Sequence, residues 1–160
     1  MTPEKRDAES VQLIGDIEFI LRDRYGKILD LRKLENLIVN VGKAQIAGLI
    51  NGVITSVFKY IAIGTGGGGP AVGDTALTTE IAGAGGGART LGSVDRITTT
   101  VTNDTARIIV NFSFTASYAI TESGLFDAAT AGNLAARQVF AAINVVSTNT
   151  LEVKWQIKAS

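Results

Sequence analysis

The sequence predicts a mainly β protein: an antiparallel β-sandwich or barrel-like fold with one short α-helix and an extended N-terminal arm. Two alternating stretches carry that reading. In Thr105 to Ala116, the residues Ala106, Ile108, Val110, Phe112 and Phe114 alternate with Thr105, Arg107, Asn111, Ser113 and Thr115. Ile109 is the one apolar residue on the polar side. A helix would scatter this set around its axis, whereas a strand divides it between two faces. In Leu151 to Lys158, Leu151, Val153, Trp155 and Ile157 alternate with Glu152, Lys154, Gln156 and Lys158. Composition agrees, because glycine is abundant and threonine and β-branched residues crowd the C-terminal two thirds.

The 160 residues suit one domain able to bury a core. We expect an arm over residues 1–15 and a single β-rich domain over residues 16–160. About half of the charged residues precede Asn36, so charge gathers on the arm and the first elements. Met1 to Ser10 is polar and shows neither periodicity nor a signal-peptide pattern.

Asp16 to Lys33 predicts a β-hairpin. Ile17, Phe19 and Leu21 alternate with Glu18 and Arg22, and Leu29 and Leu31 alternate with Asp30 and Arg32. Gly26 in the intervening turn can take a positive φ. Exposed charges would guard the hairpin edges against stray pairing. After Leu37 to Val41, Asn40 is placed to cap a short helix. Ile46, Leu49, Ile50 and Val53 would share its buried face, and Asn51-Gly52 would end it.

Val57 to Ile63 predicts a buried strand, followed by a glycine loop from Gly64 to Gly69 closed by Pro70. Asp74 to Glu80 suggests a helical turn capped by Asp74, and Gly83 to Gly87 a second loop. Ile97 to Thr102 would pair with the strand beginning at Thr105 around Asn103-Asp104, setting Val101 opposite Ala106, Thr99 opposite Ile108 and Ile97 opposite Val110. Ile120 to Phe126 and Asn133 to Phe140 form another hairpin around Ala129 to Gly132. The total is seven or eight strands.

Composition narrows the chemistry. Net charge is zero, without the basic excess of a nucleic-acid binder. The chain has no cysteine or histidine, which removes disulfides, Ser-His-Asp and Cys-His catalysis and the usual zinc sites. No apolar run approaches the ~20 residues of a membrane helix. Neither a nucleic-acid nor a membrane partner is expected.

Gly64, Gly66 and Gly69 satisfy G-x-G-x-x-G after a strand, but Pro70 follows where a phosphate-binding helix should begin. Gly42-Lys43 fails as a phosphate loop, because Leu37 stands where glycine is needed. Asn103-Asp104-Thr105 and Asn111-Phe112-Ser113 match the short glycosylation pattern. Carboxylates are sparse after Asn36. Glu122 stands out in an apolar strand, and the hairpin register sets it diagonal to Arg137 on one face. We read Glu122 and Arg137 as a structural ion pair. No catalytic residue, cofactor site or metal site is expected, so the chain reads as a structural or interaction protein and not an enzyme.

Three regions together resemble a known family. They are Asn36-Leu37-Ile38-Val39-Asn40-Val41-Gly42, Tyr60-Ile61-Ala62-Ile63-Gly64-Thr65-Gly66, and Ile120-Thr121-Glu122-Ser123-Gly124-Leu125-Phe126-Asp127 continuing to Ala136-Arg137-Gln138-Val139-Phe140. Their order is similar to that in small virion structural proteins of tailed bacteriophages, found among head decoration and tail-associated proteins. The resemblance runs from about Leu29 to the C-terminus. The family usually has a longer threonine- and alanine-rich spacer in place of the glycines, and commonly alanine in place of Ser123.

The resemblance implies a capsid decoration protein on the virion surface, assembled in the host cytoplasm. Its partner would be the major capsid protein or another virion protein. A homotrimer would seat on local three-fold positions and stabilise the shell by binding only its assembled form. The arm, with Thr2, Pro3, Glu4, Lys5, Arg6 and Asp7, would reach a neighbour or the capsid, and the glycine loops would lie at contacts. The alternatives are a tail-fibre or tail-tip subunit and a glycan-binding module.

Overall fold

The computed structural model describes residues 10–160. It is mainly β, an antiparallel sheet forming a nearly closed barrel with one helix. The elements are β1 (Leu13–Arg22), β2 (Ile28–Ile38), α1 (Asn40–Asn51), β3 (Tyr60–Gly64), β4 (Thr90–Leu91), β5 (Ser93–Ile97), β6 (Thr105–Ser113), β7 (Tyr118–Phe126), β8 (Leu134–Val145) and β9 (Thr150–Ala159). The nine strands run in the order β4-β3-β7-β8-β2-β1-β9-β6-β5.

The two ends of that order belong to one stretch of chain. β4 pairs with β3, β5 pairs with β6, and only Gly92 separates β4 from β5. A Cβ on Gly92 would crowd the Ile108 side chain, and its amide donates to the Lys59 carbonyl at 2.7 Å. Glycine at this corner thus lets the strand turn from one side of the barrel to the other.

On the opposite side, β2 meets β8 only through Leu37↔Arg137 and Ile38↔Ala136. The ladder stops there because β8 bulges. Ile120 and Glu122 pair with Ile143 and Val139, so four steps of β8 match two of β7. Arg32 fills the gap from β2. Its guanidinium donates to the carbonyls of Ala141 and Ala142 and is held by Asp30. Phe19 and Phe140 pack across the same seam, with ring centroids 4.4 Å apart.

The barrel core contains Ile17, Phe19, Leu21, Val110, Phe112, Ile120, Leu151, Val153 and Trp155, all buried. The alternation along β1, β6 and β9 therefore sorts residues as the period of two requires. On β2, Asp30, Arg32, Leu34 and Asn36 face inward, opposite Leu21, Phe19, Ile17 and Gly15, while Leu29 and Leu31 are exposed.

Several expectations change. β1 begins at Leu13, so residues 13–15 belong to the sheet and not to an arm. Asn40 is the first helical residue and makes no side-chain cap bond; Val39 is the N-cap. The helix buries Gly42 and Gln45, and Ile50 and Val53 are exposed at 83% and 80%. Gly42 packs where a Cβ would strike the Ala135 backbone, and that close approach sets the helix rotation. Gly52, with φ +76°, ends the helix. β3 begins at Tyr60, three residues later than the apolar run suggested.

The residues from Asp74 to Glu80 form no helix. Asp74 closes a tight turn by accepting from the Ala71 amide at 2.9 Å. The β5–β6 register also differs: Ile97 pairs with Thr105, Arg96 with Ala106, and Val94 with Ile108. The cause is Asp104. Its carboxylate accepts from the amides of Thr99, Thr100 and Val101, which winds residues 98–104 into a loop and withdraws those amides from any ladder.

Candidate functional site

The most elaborate polar site lies on the outer face of β3, β7 and β8. Glu122 is fully buried there. Its Oε1 accepts from the amides of Gly66 (3.1 Å) and Thr79 (2.7 Å). Its Oε2 accepts from the amide of Thr78 (3.0 Å) and from Nε (3.1 Å) and Nη2 (2.8 Å) of Arg137. A carboxylate offers about four lone-pair sites, so these five donors leave none free. Arg137 also donates to Asp74 at 2.8 Å and to Thr78 Oγ1 at 2.7 Å.

The bonds clamp the segment 65–79 as a strap across the sheet. Beneath it lies a small second core of Val39, Ala62, Leu77, Phe126 and Leu134. Two glycines make the clamp possible. A Cβ on Gly64 or Gly66 would overlap Glu122 and the backbone at Thr79. Gly67, Gly68 and Gly69 at the tip face open space. Gly64, Gly66 and Gly69 thus belong to a strap around a carboxylate, and no helix follows them.

The electrostatics are those of a closed network. Burial opposes charge on Asp74, but the Ala71 amide and the Arg137 guanidinium outweigh it and hold its carboxyl below the usual aspartate range. Burial likewise opposes charge on Arg137, and Asp74 and Glu122 together more than reverse that effect. Glu122 accepts five hydrogen bonds and Arg137 donates four, all within the network.

Two further clusters fix neighbouring loops. Gln45, buried in α1, donates to Asp127 and to the Ser56 carbonyl, both at 2.8 Å, and accepts from Asn133. This ties the helix to the β7–β8 turn. Arg89 pairs with Glu80 at 2.6 Å, donates to the carbonyls of Ala128 and Ala131, and lies 3.6 Å over the Phe126 ring. Neither cluster was visible in the sequence, because each joins residues 9 to 88 positions apart without a repeating pattern.

The arm residues Thr2, Pro3, Glu4, Lys5, Arg6 and Asp7 lie outside the described residues. Among the described residues no group of acids could hold a metal ion, and no helix is long and apolar enough to cross a membrane.

At one end of the barrel, the described residues form no second layer over the sheet. A cavity of about 380 Å³ opens there, lined by Leu13, Ile46, Phe58, Ile108 and Ile157 together with the polar Arg96, Asn103 and Asp104. Val94 and Ala106, on the Ile108 face of the sheet, are exposed at this mouth because none of the described residues forms a second layer over them. On the outer face of the sheet, β2 exposes Leu29 and Leu31 and its neighbours carry paired charges. Lys154 bridges Glu18 and Glu152, and Lys33 lies 3.6 Å from Asp16. No family model matches the chain, and no curated protein matches it.

Proposed function

We propose that the chain is a structural protein of a tailed-phage virion, a capsid decoration protein that grips the assembled shell as an oligomer and catalyses no reaction. The observation that carries this reading is where the family-like segments sit. The end of β2 with the start of α1, then β3, β7 and β8, are neighbours in one half of the barrel. The resemblance therefore follows neighbouring strands in one half of the sheet, up to the start of the strap at Gly66, and not scattered fragments.

The chemistry is compatible with that role. The buried polar groups of the strap are consumed by internal bonds, which suits a rigid body carrying contacts. Apolar side chains are exposed at the barrel mouth and, as Leu29 and Leu31, on β2, as expected of a protein that meets another. A glycan-binding role finds less support, because Trp155 is buried and most phenylalanines lie in the core. The runner-up is a tail-fibre or tail-tip subunit.

The test is gold-labelled antibody against this chain on intact virions, with co-sedimentation of the purified protein on expanded empty capsids. Label over the head and co-sedimentation support decoration. Label confined to the tail selects the runner-up, and unlabelled virions overturn both.

A further inference from the structure

The turn between β1 and β2 carries Arg22, Arg24 and Lys27 against a single acid, Asp23. No ion pair among the described residues involves any of these three cations. Asp23 is engaged by its own turn, its Oδ1 accepting from the amides of Tyr25 (2.8 Å) and Lys27 (3.0 Å). The topology sets neutral loops around this turn. Arg22 pairs with Thr150 beside the β8–β9 turn, the Thr148 amide donates to the Phe114 carbonyl, and the Thr115 amide donates to the Gly85 carbonyl. Residues 83–88, 114–117 and 146–149 contain no charged residue. A chain of zero net charge thus gathers a local positive excess at this end of the barrel.

We infer that this turn and the adjoining outer face of β2 dock on an acidic protein surface, which on the virion role proposed above belongs to the particle. Charge complementarity sets the sign of the partner. The composition of the patch sets its class. Tyr25 is 80% exposed, with the Arg24 guanidinium 4.8 Å from its ring centroid, and the exposed Leu29 and Leu31 follow on β2. Tyrosine and arginine beside bare aliphatic side chains are the residues that anchor protein interfaces. Further along the same face, Glu18 lies opposite Lys33 and Asp16 opposite Glu35. A nucleic acid or an anionic membrane lying along the face would meet those carboxylates. A folded partner can instead offer acids to the turn and apolar side chains to Leu29 and Leu31.

The experiment is co-sedimentation on expanded empty capsids and on isolated tails, with far-ultraviolet circular dichroism as the control for folding. Wild type is expected to bind one of the two, less tightly as salt rises. Arg24→Glu should raise the half-saturating concentration about tenfold. Leu31→Ser leaves the turn charges in place and should also weaken binding, and it decides the matter if Arg24→Glu fails to fold. Lys43→Glu, the same change of charge on an exposed position of α1, should bind as wild type does. Carbodiimide coupling of the bound protein should join Lys27 to a carboxylate of the particle. Binding indifferent to Arg24→Glu and Leu31→Ser, or weakened equally by Lys43→Glu, overturns the docking surface and leaves the virion role standing. A wild type that binds neither capsids nor tails overturns both. Equal sedimentation of wild type with phosphatidylglycerol vesicles or double-stranded DNA assigns the turn to a polyanion and overturns the protein partner.

Discussion

The indole Nε1 of Trp155 donates to Ser123 Oγ at 3.2 Å, and Ser123 donates onward to the Ala62 carbonyl at 2.9 Å. All three residues are buried, and the relay joins β9 to β7 and β3 through the core. Ser123 therefore has a structural reason to be a serine. Ser123→Ala strands the indole N–H and should cost about 1–3 kcal/mol. For a domain of this size that lowers Tm by roughly 2–4 °C per kcal/mol. A calorimetric scan checks it, and an unchanged Tm would count against the relay.

Glu122→Gln removes the charge facing Arg137 and leaves an amide group where acceptors are needed. Breaking one partner of a buried pair typically costs about 3–5 kcal/mol. The double variant with Arg137→Met should cost less than the sum of the two single changes, because each single change strands the other partner. Urea unfolding of the four proteins measures the coupling. Simple additivity would show that the strap does not depend on the pair.

Glycines of the strap divide by position. Gly66→Ala forces a Cβ into Glu122 and should destabilise the fold by more than about 1 kcal/mol. Gly69→Ala enters open space and should be neutral or stabilising by up to about 1 kcal/mol, since alanine restricts the unfolded chain. Chemical denaturation of both variants side by side distinguishes a clamped base from a free tip.

Acid should loosen the chain through Asp74 and Asp104. Burial opposes charge on Asp104, but the amides of Val101, Thr99 and Thr100 and the Thr99 hydroxyl hold its carboxyl far below the usual range. Both groups have folded-state pKa values below their unfolded values. The unfolded chain therefore takes up protons first as pH falls, and stability declines. The loss should begin near the ordinary aspartate value of 3.8 and continue below it. Asp104→Asn should be less stable at neutral pH and flatter in acid. An acid limb as steep as wild type would exclude Asp104 as a cause.

Thr148 holds φ +77° in the β8–β9 turn, a conformation that a β-branched residue adopts at a cost of about 1–2 kcal/mol. Its amide donates to the Phe114 carbonyl at 2.8 Å, which fixes the turn against the end of β6. Thr148→Asn or Thr148→Gly keeps that bond and relieves the strain. Each should raise stability by about 0.5–1 kcal/mol in thermal melts. A fall in Tm would show that the threonine side chain itself supports the turn.

The strands that could be read in advance were those whose environment is uniform along their length. β1, β6 and β9 have one face in the core and one toward solvent, so polarity alternates along most of their length, with Ile20 and Ile109 as exceptions. The ion pair followed from the β7–β8 register, since a diagonal neighbour needs only the correct turn. Errors arose where a side chain competes with the backbone or where a contact spans the chain. Asp104 captured amides that a simple hairpin would have used. Gly42 and Gln45, two residues no apolar pattern marks, set the buried face of α1. The strap followed from Glu122 reaching amides 43 to 56 positions away.

By itself, the sequence determined the two-faced strands and the turns at Gly26 and between β7 and β8, because those depend on neighbours a few residues apart. Tertiary structure alone decided how the sheet closes at Gly92, how the strap lies on Glu122 and which apolar surface stays bare. Those outcomes depend on which distant groups fill one another's space and hydrogen-bonding capacity, and that is settled only once the barrel has formed.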